Sequence, residues 1–192
     1  MARELAKRSI TADEYERMGE AGIFEPDARL ELIEGEIYRM SPIGSPHAGC
    51  VAALTYFLSR LAQRNFIVHV QNPLRLDDFS EPQPDVALLR WRDDFYRRAH
   101  PRPDDVLLVI EVADTTVETD RAVKLPLYAR ADINEVWLVN LPAERIELYA
   151  QPVGGAYQTS QFYQPGEEAQ SHTLAEVKLL VNDVLGWNTP PA

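Results

Sequence analysis

The sequence predicts an α/β fold, mixed α+β in its ordering, with a central mixed sheet flanked by helices. Three observations carry that expectation. The apolar runs PDVALL, VLLVIEV and EVWLVN have strand length and are rich in Val, Leu and Ile. Two longer segments, about 45–64 and 120–131, repeat apolar residues at helical spacing. Strand-like alternation returns after the second of them, so helices and strands are interspersed along the chain. A length of 192 residues fits one domain, residues 1–192, with a full core.

The elements follow in order. Thr11 and Glu14 form a capping box that starts a short helix, closed by Gly19 and Gly22. LELIEGEIYRM, residues 30–40, alternates about Glu34-Gly35 and predicts a tight hairpin. Ser45 supplies an N-cap and Pro46 the first helical position of the next helix. Val51, Leu54, Leu58 and Leu61 form its apolar stripe through Arg64. Strands follow at FIVHVQ, PDVALL and VLLVIEV, then a helix over about 120–131 with Pro126 placed to kink it. EVWLVN and RIELYAQ are strands joined near Pro142-Ala143, and AYQTSQFY is another. The tail from Leu174 to Trp187 fits helix or strand. No repeat or low-complexity block interrupts the pattern.

Composition narrows the class. The single cysteine, Cys50, excludes an internal disulfide framework and a cysteine-rich zinc site, and its helical apolar setting marks it as core filler. No stretch has membrane-spanning length and the N-terminus carries no apolar signal segment, so a bacterial-type cytoplasmic location is the default expectation. The formal charge of −11 opposes approach to nucleic acid. Against it stand Arg90, Arg92, Arg97, Arg98 and Arg102, interleaved with Trp91, Phe95 and Tyr96. Such a segment can hold phosphates and stack on bases. A solvated helix with Asp93 and Asp94 paired to Arg97 and Arg98 is the preferred reading, because such surface segments are common.

Chemistry concentrates in three islands. Alternation in VLLVIEV puts Leu107, Val109 and Glu111 on one face and Val106, Leu108, Ile110 and Val112 on the other. Glu111 is then the lone acid on an interior strand, and a buried carboxylate stays ionised only beside a cation. The alternative puts it at a strand end, reaching solvent or an arginine. Asp85 opens a neighbouring strand; alone it is an ordinary turn acid, but with Glu111 it makes a pair suited to magnesium. Lys124 is either half of a surface pair with Asp120 or an ammonium beside the metal, and the residues leave the two readings even. Glu31 interrupts the LELI strand on the face of Ile33, where it could hold a lysine, water or metal ligand, or be a surface acid. His47 lies in the first turn of a helix, whose free N–H groups suit a phosphate contact.

Taken together, ELIEGEIYRMSP, the Pro46-His47 pair, QPDVALL, VIEV and DRAVKLPLYARADINEVWLVN resemble the Uma-type family of bacterial restriction endonucleases, within the PD-(D/E)XK nuclease superfamily. The match spans about residues 30–149. The resemblance implies a restriction-endonuclease-like core and cleavage of DNA dependent on Mg²⁺, or else Mn²⁺. Asp85 matches the aspartate of the PD motif and Glu111 the second acid, so both are expected metal ligands and catalytic residues. The superfamily lysine stands two residues after that acid, where this chain has Ala113. Within the resembled family a lysine on the following helix takes that place, and Lys124 matches it. Glu31 matches the acid of the ELI segment and His47 the histidine after SP.

The implied mechanism is metal-assisted hydrolysis, with Lys124 positioning the attacking water and Glu31 supporting it. A homodimer suits cutting both strands of a duplex. One rival is a catalytically silent nuclease-fold protein acting as a binding or assembly module. The other is a hydrolase using paired carboxylates on sugars, which leaves Lys124 without a task.

Overall fold

Residues 7–186 are described by a computed structural model of the chain. The Thr11 hydroxyl accepts from Glu14 N at 3.2 Å while the Glu14 carboxylate accepts from Thr11 N at 3.1 Å, which starts α1, Ala12–Glu20. Strands β1, Leu30–Ile33, and β2, Glu36–Arg39, pair across a two-residue turn in which Glu34 and Gly35 have φ of 50° and 79°. Left-handed values at both positions give a mirror-image turn whose twist matches the strands.

Helix α2, Ser45–Ala62, is capped by the extended backbone of Gly44, so Ser45 and Pro46 both lie inside its first turn. The expected Ser45 cap is therefore displaced one residue upstream, because proline is tolerated anywhere in that turn, where N–H groups are unpaired anyway. The helix stops short of Arg64, since Gln63 and Arg64 take φ of 35° and 73°. Its stripe is as expected: Leu54 and Leu58 are fully buried, each stabilising by roughly 1.5–3 kcal/mol.

The next elements are β3, Phe66–Val70; β4, Val86–Arg90; and β5, Val106–Ala113. The segment expected to be an arginine-rich helix between β4 and β5 is a run of turns instead. Phe95 and Tyr96 have φ of 50° and 57°, which breaks any helix there. Asp94 pairs with Arg92 at 2.9 Å and Asp93 with Arg64 at 3.3 Å, so neither acid makes the expected partnership.

A continuous helical run then comprises α3, Val117–Thr119, a π turn at Asp120–Lys124, and α4, Leu125–Arg130. Pro126 is accommodated by the wider turn: Leu125 N–H reaches back to the Asp120 carbonyl, and a proline lacking its own N–H is absorbed where the ladder is already offset. Strands β6, Glu135–Asn140; β7, Arg145–Val153; and β8, Ala156–Tyr163, form a meander. The tail is both strand and helix: β9, Glu168–Gln170, pairs with β10, Lys178–Leu180, ahead of α5, Val181–Leu185. Trp187, expected at its end, lies outside the described residues.

The main sheet has the order β3-β4-β5-β6-β7-β8 and is mixed, with β5 and β6 parallel and the other neighbours antiparallel. Apolar residues fill both faces. One face packs under α2 and α5 through Leu54, Leu58, Leu88, Ile110 and Trp137, and the other under α4 through Leu89, Val109, Leu127 and Tyr128. Burial on both faces is why the central strands are continuous apolar runs rather than alternating ones. A bulge corrects the predicted faces of β5: Leu88 opposes Leu108 but Leu89 opposes Val106, so Leu107 is the extra residue. Val106 consequently shares the core face of Val109, while Leu107 packs with Leu108. Glu111, beyond the bulge, keeps its expected face. No described helix is long and apolar enough to cross a membrane.

Candidate active site

The start of β4 and the end of β5 meet at one end of the sheet. Val86 opposes Ile110, which sets Asp85 beside Glu111. Asp85 N donates to Glu111 Oε2 at 3.4 Å, and Val112 N donates to Asp85 Oδ2 at 2.9 Å. The two acids are thus brought together by the ladder itself. Gln71, just past β3, donates from Nε2 to Asp85 Oδ1 at 3.1 Å. His47 Nε2 lies 3.0 Å from Asp85 Oδ2, so the helix start of α2 leans on the same carboxylate.

Lys124 arrives from the other side of the strand pair. It is buried, and Nζ lies 3.2 Å from Glu111 Oε1 and 3.3 Å from Glu31 Oε2. The surface pair with Asp120 does not form; Asp120 is itself buried and accepts from Thr116 Oγ1 at 2.7 Å. Glu31 also accepts a long contact from Gln83 N at 3.4 Å, which ties β1 to the segment before Asp85. Tyr128, one turn after Lys124 on the same helix face, donates to Glu111 Oε1 at 2.6 Å. All five residues singled out from the sequence, Glu31, His47, Asp85, Glu111 and Lys124, line one cleft of about 450 Å³.

Electrostatics in the cleft are acidic. Five acids, Glu31, Asp85, Glu111, Asp114 and Asp120, stand against Lys124 on the floor and Arg29 and Arg39 on the wall. Burial pushes the Glu111 carboxyl up to about 8, against the pull of Lys124 and with Asp85 and Asp120 adding to the rise. Lys124 moves the opposite way from what burial alone would do: Glu111, Glu31, Asp120 and Asp85 together hold its ammonium far above the ordinary lysine value. Burial also raises Asp85, but His47, Val112 N–H and Gln71 outweigh it and keep that carboxyl below the usual range.

This donor set fits a hard divalent cation. It offers carboxylate oxygens in a site with surplus negative charge, and Glu111 Oε2 accepts only one long contact from the protein. Two other strand acids are buried as deeply, so Glu111 is not the lone interior acid the sequence suggested. Glu147 takes donors from Arg121, Arg145, Asn140 and Tyr149, and these pull it down to about 2 although burial opposes them. Glu135 accepts from Trp137 Nε1, Ser171 Oγ and Thr173 N. Both are closed by protein donors, whereas Glu111 faces the cleft. Sequence reasoning missed Tyr128 and Gln71, along with Arg29 and Arg39 at the cleft wall. Tyr128 had a signal, its four-residue spacing from Lys124; Gln71 had none.

A six-stranded mixed sheet flanked by helices, with acids from adjacent strands at one end, is the architecture of a nuclease-like fold. A family profile described as "Putative restriction endonuclease", Uma2, matches residues 12–182, and the chain belongs to that family. Among solved structures, it is similar to "a putative nuclease belonging to DUF820 from Anabaena variabilis ATCC 29413" with a TM-score of 0.67. That likeness covers 93% of this chain and 98% of the other at 17% identity, and it shows the fold. No curated protein matches the sequence.

Proposed function

We propose that this cleft hydrolyses phosphodiester bonds in DNA with Mg²⁺, or Mn²⁺ in its place, held by Asp85 and Glu111. The observation that carries the reading is Lys124 Nζ wedged between Glu111 and Glu31 beside Asp85, at the floor of an open cleft. When bound, the cation supplies Lewis-acid polarisation of the scissile phosphate. The chain's own groups do the rest. Lys124 stays charged, so it can orient the attacking water and stabilise charge growing on the phosphate oxygens. Glu31 and Tyr128 restrain Lys124 and Glu111, and His47 and Gln71 orient Asp85. With Nε2 spent on Asp85, the phosphate contact expected of His47 falls to the backbone at the start of α2. A two-fold dimer would present two such clefts to the two strands of a duplex.

One observation favours a second reading. The Asp85 carboxylate already accepts three hydrogen bonds from the protein, as it would in a silent nuclease fold used for binding. Mg²⁺ titration by calorimetry, followed by cleavage assays on single-stranded and duplex DNA and on RNA, separates the two. On the nuclease reading, Asp85→Ala and Glu111→Ala each lose Mg²⁺ binding and at least ~10²-fold in cleavage rate. Wild-type protein that binds no divalent ion and cuts nothing selects the binding module, and full activity in either variant removes the assigned site.

A further inference from the structure

A second cluster of ligating groups lies outside the cleft. A carboxylate oxygen of Glu16 on α1, one of Glu81 and an imidazole nitrogen of His100 lie within 4.8 Å of one another. None of the three lines the cleft of Asp85 and Glu111. Three elements distant in sequence converge there: α1, the segment ahead of β4 where Glu81 bridges Leu32 of β1, and the turn-rich segment ahead of β5.

Glu81 is the informative member. It is 2% exposed, and its Oε2 is buried without any hydrogen-bond partner. A buried carboxylate oxygen with no donor is costly, and native structures rarely leave one. The neighbouring guanidinium does not cure it. Arg75 turns its two terminal nitrogens to Asp13 at 2.6 Å, Glu16 at 3.5 Å and Asp78 at 3.8 Å, and its Nε, buried like Glu81 Oε2, makes no hydrogen bond to it. With Glu81 these make four carboxylates around one guanidinium, and the cluster lacks positive charge. His100, exposed on the outer side, supplies a nitrogen ligand and leaves an approach from solvent.

We infer that Glu16, Glu81 and His100 form a structural site for a divalent transition-metal ion of the zinc class, distinct from the site of Asp85 and Glu111. One imidazole and two carboxylates are a donor set that Zn²⁺ accepts, with a fourth position left for water. Ligand atoms around one such ion stand about 3.4 Å apart for bonds of about 2.1 Å, so a modest closing of the side chains completes the site. The ion supplies the missing partner of Glu81 and ties α1 and the segment ahead of β5 to the sheet. Its role is a cross-link, not a step of hydrolysis.

The test uses Asp85→Asn/Glu111→Gln protein, which removes the other acidic pair, titrated with Zn²⁺ by calorimetry and followed by thermal unfolding. One Zn²⁺ per chain and a raised Tm are expected. Adding His100→Ala, an exposed position that leaves packing intact, should weaken binding at least tenfold and abolish the Tm shift. Glu81→Gln should do the same while retaining a cooperative melt. Binding that is unchanged by His100→Ala overturns the assignment. So does the absence of Zn²⁺ binding, which leaves Glu81 protonated and sharing its hydrogen with Glu16.

Discussion

Glu111 carries the strongest electrostatic consequence. Burial raises its carboxyl from 4.5 to about 8, and burial beside Glu16 raises that of Glu81 to about 7. A carboxyl raised on folding binds its proton more tightly in the native chain than in the unfolded one. The stability linked to it is full below about 4.5 and falls as pH climbs through the folded value, by at most ~1.4 kcal/mol per pH unit for each group. Metal-free protein is therefore expected to lose Tm from pH 5 to pH 8, with Glu111→Gln ending that decline near pH 7. Added Mg²⁺ should restore Tm at pH 8 in wild type and not in the variant, a comparison that scanning calorimetry makes directly. Glu111 was legible in the sequence because an acid inside VLLVIEV violates the apolar pattern around it. Lys124 was legible only through the family resemblance: four residues from Asp120, it fits a surface pair equally well, and docking of the helix onto β5 is what turns it to Glu111 and Glu31.

Local elements were legible where a short-range rule governs them. The Thr11 capping box and the Glu34-Gly35 turn are both formed as expected, because a cap and a two-residue hairpin are decided within a few residues. The bulge at Leu107 and the left-handed Phe95 and Tyr96 were not, since each is imposed by what lies across the sheet or under the ring. Tyr96, for example, is buried and its hydroxyl donates to Arg90 O at 2.8 Å. The hairpin also offers a clean test of how Glu31 is held. A Cβ on Gly35 would stand 2.4 Å from Ser9 Cβ, whereas one on Gly22, also at positive φ, meets nothing within 4 Å. Gly22→Ala should cost about 1 kcal/mol from backbone strain alone. Gly35→Ala should cost about 2–3 kcal/mol in urea unfolding, with cleavage falling further than stability because β1 carries Glu31.

The sheet has two ends, and they carry different charge. The cleft opens where β3 and β5 finish and β4 begins, with Arg29 and Arg39 on its wall. The five arginines of 90–102 begin with Arg90 at the other end of β4, roughly 17 Å away along the strand. The segment therefore lies away from the cleft, and it forms neither the helix nor the Asp–Arg pairs expected of it. In a binding titration against duplex DNA, Arg29→Ala or Arg39→Ala should each flatten the slope of log K against log salt by about 0.9. Arg97→Ala/Arg98→Ala should leave the slope unchanged, and a drop of about 2 there would move the DNA to the opposite end of the molecule.

The acids and the lysine of the cleft ride on different bodies, a strand pair and a helix that docks upon it. If the cleft works as proposed, ion capture and bond cleavage are separable by mechanics. A chain whose Val117–Arg130 region swings outward for a moment keeps Asp85 and Glu111 in register while the ammonium departs. On the proposed nuclease reading such a chain would be loaded yet inert, and the stiffness of one docked helix would act as a throttle on cutting.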